Sequence, residues 1–163
     1  MRGFLSLGSN LGDRDVLLRT AVERLKGYGV SVLKASHMYE TTPVEVEHEQ
    51  GNYLNMVVEV AFEGDPLALL DICGRIEAGL GRERPYRHSP RTMEIDILLL
   101  EGISMSTDRL VVPHPRLEQR AFVMHPLAEI APDQDLPSGK KVAEVRKELA
   151  GGGTIRLWNG HDG

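Results

Sequence analysis

The sequence predicts an α+β fold, a ferredoxin-like sandwich whose elements run β-α-β-β-α-β with an antiparallel sheet and two helices on one face. Three observations carry that expectation. Two segments repeat their apolar residues at helical spacing, at Leu18-Ala21-Val22-Leu25 and at Leu69-Ile72-Cys73-Ile76-Leu80. Runs rich in β-branched and apolar residues flank each of them. Glycine pairs punctuate the chain where each helix should stop, at Gly27/Gly29 and Gly79/Gly81.

Gly3 to Leu7 is a short apolar strand that leads into Gly8-Ser9-Asn10-Leu11-Gly12, a turn cluster. Asp13 reads as the N-cap of the first helix. Val30 to Tyr39 reads as a strand, Thr41 to Gly51 as a polar, acidic loop, and Tyr53 to Phe62 as a long β-rich run. Asp65-Pro66 opens the second helix with proline at its first position. An Arg-rich loop from Arg82 to Arg91 precedes the strand Met93 to Leu100. Beyond Gly102 come a strand-like piece at Leu110–Val112, the stretch Pro113-His114-Pro115 and a helix near Arg120 to Ile130. The tail holds Gly151-Gly152-Gly153 and Trp158. No repeat or linker divides the 163 residues, so a single domain over 1–163 is expected, with its tail from about 133 as an addition to the sandwich. Folding a chain of this size buries roughly 69% of its surface, enough to need no staples.

Composition excludes several classes. No apolar run exceeds four residues, so no membrane span is expected. The segment Met-Arg-Gly-Phe-Leu-Ser-Leu-Gly lacks the features of a signal peptide, and the single Cys73 cannot form an internal disulfide. A cytoplasmic protein is expected, with Cys73 an inert core residue. Net charge is −5, which argues against general nucleic-acid binding. Within that acidic chain the basic residues are mostly arginine, fourteen against five lysines, and seven arginines fall between Arg82 and His125. Guanidinium grips phosphate bidentately, so this concentration points to an anion site, or else to salt bridges with surface carboxylates.

The segment from Arg87 to Leu100 carries the chemistry. In a strand, Glu94 and Asp96 face one side while Met93, Ile95, Ile97 and Leu99 face the other. The two carboxylates then lie about 6.6 Å apart along the strand, close enough for their arms to converge on hard cations. A salt bridge to a neighbouring arginine or a solvated sheet face remains the alternative. Arg82, Arg84, Arg87 and Arg91 precede the acid pair, the arrangement phosphoryl transfer requires if metals and guanidinium groups share the developing charge. There is no P-loop: Ser138-Gly139-Lys140-Lys141 lacks the upstream glycine and the following hydroxyl residue. Tyr53 and Asn55 alternate on one strand, a ring and an amide suited to a flat heterocycle. His114, Arg116 and Arg120 are within reach of a nucleotide or are ordinary surface residues.

These residues resemble the hydroxymethyl-dihydropterin pyrophosphokinase family from Leu5 to about Pro132. The resemblance rests on Gly8-Ser9-Asn10-Leu11, Tyr39-Glu40-Thr41, Tyr53-Leu54-Asn55, Arg75-Ile76-Glu77, Gly81-Arg82, Pro90-Arg91-Thr92, Asp96-Ile97, Arg109-Leu110, Val112-Pro113-His114 and Arg120-Ala121-Phe122. It implies transfer of pyrophosphate from ATP, as co-substrate, to the hydroxyl of a reduced pterin, with release of AMP, in folate biosynthesis. Two Mg²⁺ ions are then held by Glu94 and Asp96, and Arg82 and Arg91 are the catalytic arginines. Glu77, Arg84, His88, Ile97, Arg109, His114 and Arg120 match nucleotide-contacting positions. Thr41, Thr42, Val44, Tyr53, Asn55 and Phe122 match the pterin site. ATP and a reduced pterin are the implied partners of a monomer, with no nucleic acid and no membrane.

Three departures stand out. The family pattern is Asp-x-Asp where this chain has Glu94-Ile95-Asp96, and the added methylene moves one carboxylate by about a bond length. His88-Ser89 replaces a Trp-Gly found in some members. Thr42 and Glu45 stand where members often have Pro and Gly. Two other functions share this fold, a non-catalytic small-molecule-binding domain and a metal-dependent phosphodiesterase. The acid pair beside arginines disfavours the first, and the net charge disfavours the second.

Overall fold

The computed structural model describes residues 1–10, 13–42, 53–80, 93–149 and 154–158. Strands β1 (Arg2–Ser9), β2 (Ser31–Ala35), β3 (Tyr39–Thr42), β4 (Tyr53–Ala61) and β5 (Glu94–Leu100) alternate with helices α1 (Arg14–Gly27) and α2 (Pro66–Leu80). Two short strands, β6 (Met105–Ser106) and β7 (Val111–Val112), form a separate ribbon. A 3-10 turn at Leu117–Gln119, helices α3 (Ala121–Ile130) and α4 (Val142–Glu148), and strand β8 (Thr154–Leu157) follow. The main sheet runs β5-β1-β4-β3-β8, with β2 also on β4, and every pairing is antiparallel.

Alternation along the strands sorts side chains onto two faces, and each face buries its own core. Leu5, Leu7, Leu54, Met56, Val58, Val60, Ile95 and Ile97 pack against Leu18, Ala21 and Leu25 of α1 and Leu69, Cys73 and Ile76 of α2. Leu18, Ala21, Leu25 and Leu69 are fully buried, and each such leucine contributes about 1.5–3 kcal/mol. Phe4, Val57 and Leu98 project to the opposite face, where they meet Val123, Met124 and Leu127 of α3 and Val142 and Val145 of α4. Helices therefore cover both faces, and the second layer comes from the C-terminal third of the chain. The sequence predicts two helices on one face and leaves the other open for a ligand or further elements; α3 and α4 are those further elements.

Local chemistry explains most element ends. Pro66 sits at the first position of α2, and Ala68 N–H donates to the Asp65 carboxylate at 2.8 Å. The helix passes through Gly79 to Leu80, so Gly79 does not end it; Gly81 lies outside the described residues. Asp13 precedes α1 as expected, but its side chain makes no capping bond. Past the end of α1, Gly29 takes φ +87°, a region glycine occupies without strain.

Two strands depart from simple alternation. The expected strand from Val30 to Tyr39 is broken at Ser36-His37-Met38, giving β2 and β3 on the same edge of β4. Ser36 keeps the ladder intact across the break: its N–H donates to Val57 O, and its hydroxyl accepts from Val57 N–H, both at 2.9 Å. In β5, Phe4 opposes Leu99 while Leu5 opposes Ile97, so a bulge at Leu98 shifts the register. Leu99 consequently packs with the α3/α4 side, and Leu100 with the α1/α2 core. Leu99 was expected on the α1/α2 side.

Candidate active site

The α3/α4 layer covers only part of its sheet face. Among the described residues, the part left uncovered is a short patch at the junction of β5, β1, β4 and β3. In register order, Glu94 lies opposite Gly8, Gly8 opposite Asn55, and Asn55 opposite Tyr39. One row further, Asp96 lies opposite Ser6 and Ser6 opposite Val57; on the other side Tyr53 pairs with Thr41. All of these side chains project from one face because each strand contributes alternate residues. The acid pair and the Tyr53/Asn55 platform, expected separately from two strands, thus share one surface.

Gly8 makes the patch possible. A Cβ there would stand 2.9 Å from Asn55 Oδ1, so only glycine leaves room for that amide. Asn55 is buried, and its Nδ2 donates to Thr41 Oγ1 at 3.0 Å. The bond tethers the amide to Thr41, with Oδ1 placed over Gly8 as an acceptor and the second N–H of Nδ2 left as a donor. A donor and an acceptor side by side, next to the half-buried Tyr53 ring, match the amide-like edge of a flat heterocycle. Gly8 and its bond geometry were missed as a site element in the sequence, where the glycine read as part of a turn.

Charge on the patch is mostly negative among the described residues. Burial and the charge of Glu94 raise the pKa of the Tyr53 hydroxyl, which keeps it protonated. Asp96 is partly exposed, and Arg120, just ahead of α3, reaches it at 3.7 Å. The Arg120 guanidinium also lies over the Phe122 ring, 5.5 Å from its centroid. His114 is held by its own N–H to Leu98 O at 2.9 Å, and its Nδ1 accepts from Arg116 N–H at 3.1 Å. Burial and then the Arg120 charge lower the pKa of His114, so it is neutral near pH 7. Residues from the C-terminal third thereby rim the acid pair with one arginine, one ring and one neutral imidazole.

The remaining expected contacts vary in where they fall. Glu77 accepts from Ile95 N–H at 2.9 Å, so its carboxylate holds the outer edge of β5. The Ile97 side chain is in the core, and only its backbone is available to a nucleotide. Arg109 is exposed and ion-paired with Asp71 of α2. Thr42 closes β3. Arg82, Arg84, His88, Arg91 and Val44 lie outside the described residues. Cys73 is buried in the core, its thiol pushed up to about 12 chiefly by burial, in keeping with an inert role.

Comparison with known proteins shows which family the chain belongs to. Residues 4–132 match the family described as 7,8-dihydro-6-hydroxymethylpterin-pyrophosphokinase. The chain belongs to this family. A 2-amino-4-hydroxy-6-hydroxymethyldihydropteridine pyrophosphokinase of Bacillus subtilis is 42% identical over 161 residues, covering 98% of this chain and 92% of the relative. A protein of the same name from Methylorubrum extorquens is 43% identical over 157 residues, covering 96% and 98%. In fold, the chain is similar to a crystal structure of Plasmodium falciparum HPPK-DHPS, with TM-score 0.68 and 15% identity. That match covers 90% of this chain and 45% of the other, so this pyrophosphokinase-family chain spans less than half of it. No helix among the described residues is long and apolar enough to cross a membrane.

Proposed function

We propose that the patch between β5 and β3 is where this pyrophosphokinase brings ATP and hydroxymethyldihydropterin together. As a member of its family the chain is an ATP-dependent diphosphotransferase of folate biosynthesis. One observation carries the residue assignment: Glu94 and Asp96 project from the same sheet face as Tyr53 and Asn55.

The pterin lies against Tyr53, with Phe122 as the second ring and its amide-like edge read by Asn55, which Thr41 tethers by a hydrogen bond. Backbone near Thr42 and Val44 completes that edge. Burying a planar ring between aromatic side chains and matching its polar edge gives both affinity and orientation. The triphosphate meets Arg120 and His114, Arg82 and Arg91 act as the catalytic arginines, and Glu77, Arg84, His88, Ile97 and Arg109 are further nucleotide contacts. The hydroxymethyl oxygen attacks the β-phosphorus in line; the bond from that phosphorus to the α–β bridging oxygen breaks, and AMP departs with that oxygen. The hydroxyl proton is lost to solvent or base as the new phosphoester forms.

The acid pair suits divalent cations. Glu94 has no ion pair among the described residues, and the one partner of Asp96 is a guanidinium at 3.7 Å, too long for a tight hydrogen bond. Gly8, opposite Glu94, adds no side chain to fill the space. Glu94 and Asp96 share one face of β5, and no group of three or more metal-ligating side chains exists among the described residues. That donor set fits Mg²⁺, which takes one or two carboxylates and completes its shell with water and phosphate oxygens. Two bound ions would neutralise phosphate charge and favour attack at phosphorus.

The order β5-β1-β4 with β2 and β3 on the outer edge of β4, all antiparallel, supports a ferredoxin-like βαββαβ unit carrying α3, α4 and β8 as additions. We read the chain as a single 1–163 domain that acts as a monomer. Incubation with ATP, Mg²⁺ and reduced hydroxymethylpterin is expected to yield AMP and the pterin diphosphate in equal amounts; ADP as product would replace this reading with simple phosphoryl transfer.

A further inference from the structure

Strand β8 lies against β3 with Thr154–Leu157 paired to Tyr39–Thr42, so β3 is flanked by β4 on one side and by the tail on the other. Within the described residues β3 is four residues long and is paired along both edges. Its two outward faces do different things. Thr41 turns toward the open patch and accepts from Asn55. Glu40, next in the chain, turns to the opposite face and is held from two directions. Arg156, directly across in β8, donates to Glu40 Oε1 through Nε at 3.1 Å and Nη2 at 2.6 Å. Arg14, at the start of α1, donates to Oε2 through Nη2 at 2.7 Å. Those two guanidinium groups hold the Glu40 carboxyl below the usual range. β8 is itself tied down, since the backbone N–H of Trp158 donates to Met38 O at 2.9 Å and the indole lies under Arg19.

We propose that Arg156 and Arg14 grip Glu40 as a positioning clamp, through which the C-terminal strand sets the height of Thr41 and hence the presentation of the Asn55 amide to the pterin. Glu40 is on the far side of the strand from the patch, so it acts through Thr41 and never touches substrate. The device is directional. Among the described residues, the ATP contacts proposed above lie on α2, β5 and the segment from Arg109 to Arg120, and none is hydrogen-bonded to Glu40, so loosening the clamp affects one substrate and spares the other. This inference rests on assigning Thr41 and Asn55 to the pterin.

The test is steady-state kinetics and a thermal melt on the full chain, comparing wild type with Glu40→Gln, Arg156→Gln, Arg156→Lys and Asn55→Ala. Lys140→Ala, which removes the exposed Lys140–Glu148 pair, serves as the control. Glu40→Gln and Arg156→Gln are expected to raise the pterin KM by about three- to tenfold with the ATP KM within about twofold. Arg156→Lys should recover part of the loss, and Lys140→Ala should match wild type. Equal rises in both KM values, or an unchanged pterin KM in variants that melt like wild type, would overturn the clamp. Should Arg156→Gln melt below the assay temperature, Glu40→Gln and Arg156→Lys decide alone. A wild-type pterin KM retained in Asn55→Ala would instead remove the pterin assignment itself, which separates that failure from failure of the clamp.

Discussion

Asp96 on β5 and Arg120 ahead of α3 stand 3.7 Å apart, joining the sheet to the C-terminal third of the chain over the open patch. The distance is that of a loose, partly exposed ion pair, which contributes on the order of 0–1 kcal/mol to stability. Asp96→Ala is therefore expected to lose Mg²⁺-dependent AMP release while melting within a few degrees of wild type. AMP release across a Mg²⁺ titration, alongside a thermal melt, checks this. A wild-type rate in the variant would detach the carboxylate from the chemistry.

Arg82 and Arg91 are assigned to the charge that develops on the transferring group. Arg82→Ala and Arg91→Ala should each lower turnover by about 10²–10³, the effect of losing one charge-stabilising donor. Rapid-quench measurement of the single-turnover rate isolates the chemical step. Near-normal rates in both variants would take these arginines out of the mechanism.

Gly8→Ala brings a methyl group to 2.9 Å from Asn55 Oδ1, closer than real Cβ contacts come. The amide must swing away, breaking its bond to Thr41 or losing its pose. One buried hydrogen bond is worth about 0.5–1.5 kcal/mol, so pterin affinity should fall by about tenfold or less with little change for ATP. Calorimetric titration of each substrate separately measures both. Unchanged pterin binding would mean that the Asn55 pose does not matter.

His125 on α3 has its pKa lowered, first by burial and then by the Arg146 charge. A histidine lowered in the folded state favours the native fold above its unfolded pKa of about 6.5, and that contribution is lost as pH falls below it. His114 shifts in the same direction. Melting temperature should fall as pH drops from about 6.5, before carboxylates such as Glu40 begin to protonate. His125→Gln should flatten part of that slope; a slope identical to wild type would assign the acid sensitivity elsewhere.

Much of this was legible in the sequence because periodicity and packing agree there. The Leu18-Ala21-Leu25 and Leu69-Cys73-Ile76 spacings, Asp65-Pro66 and the alternation of Glu94 and Asp96 against Ile95 and Ile97 all have direct structural counterparts. The break at Ser36 was not legible, because a serine hydroxyl replaces a backbone group in the ladder and composition does not register that. The bulge at Leu98 falls within Ile-Leu-Leu-Leu, where every residue is apolar and alternation carries no signal. α4 has seven residues and β8 four, lengths that tertiary partners stabilise and local propensity does not. The arrival of Arg120 and Phe122 over a patch formed by distant strands is likewise a matter of tertiary packing.

In the proposed function, Glu94 and Asp96 together hold divalent ions over the pterin platform. Mn²⁺ titration followed by electron paramagnetic resonance, in the presence of a non-hydrolysable ATP analogue, tests it most directly. Two ions bound per chain in wild type, with at least one lost in both Glu94→Gln and Asp96→Asn, is the expected result. Ion binding in either variant indistinguishable from wild type would contradict it.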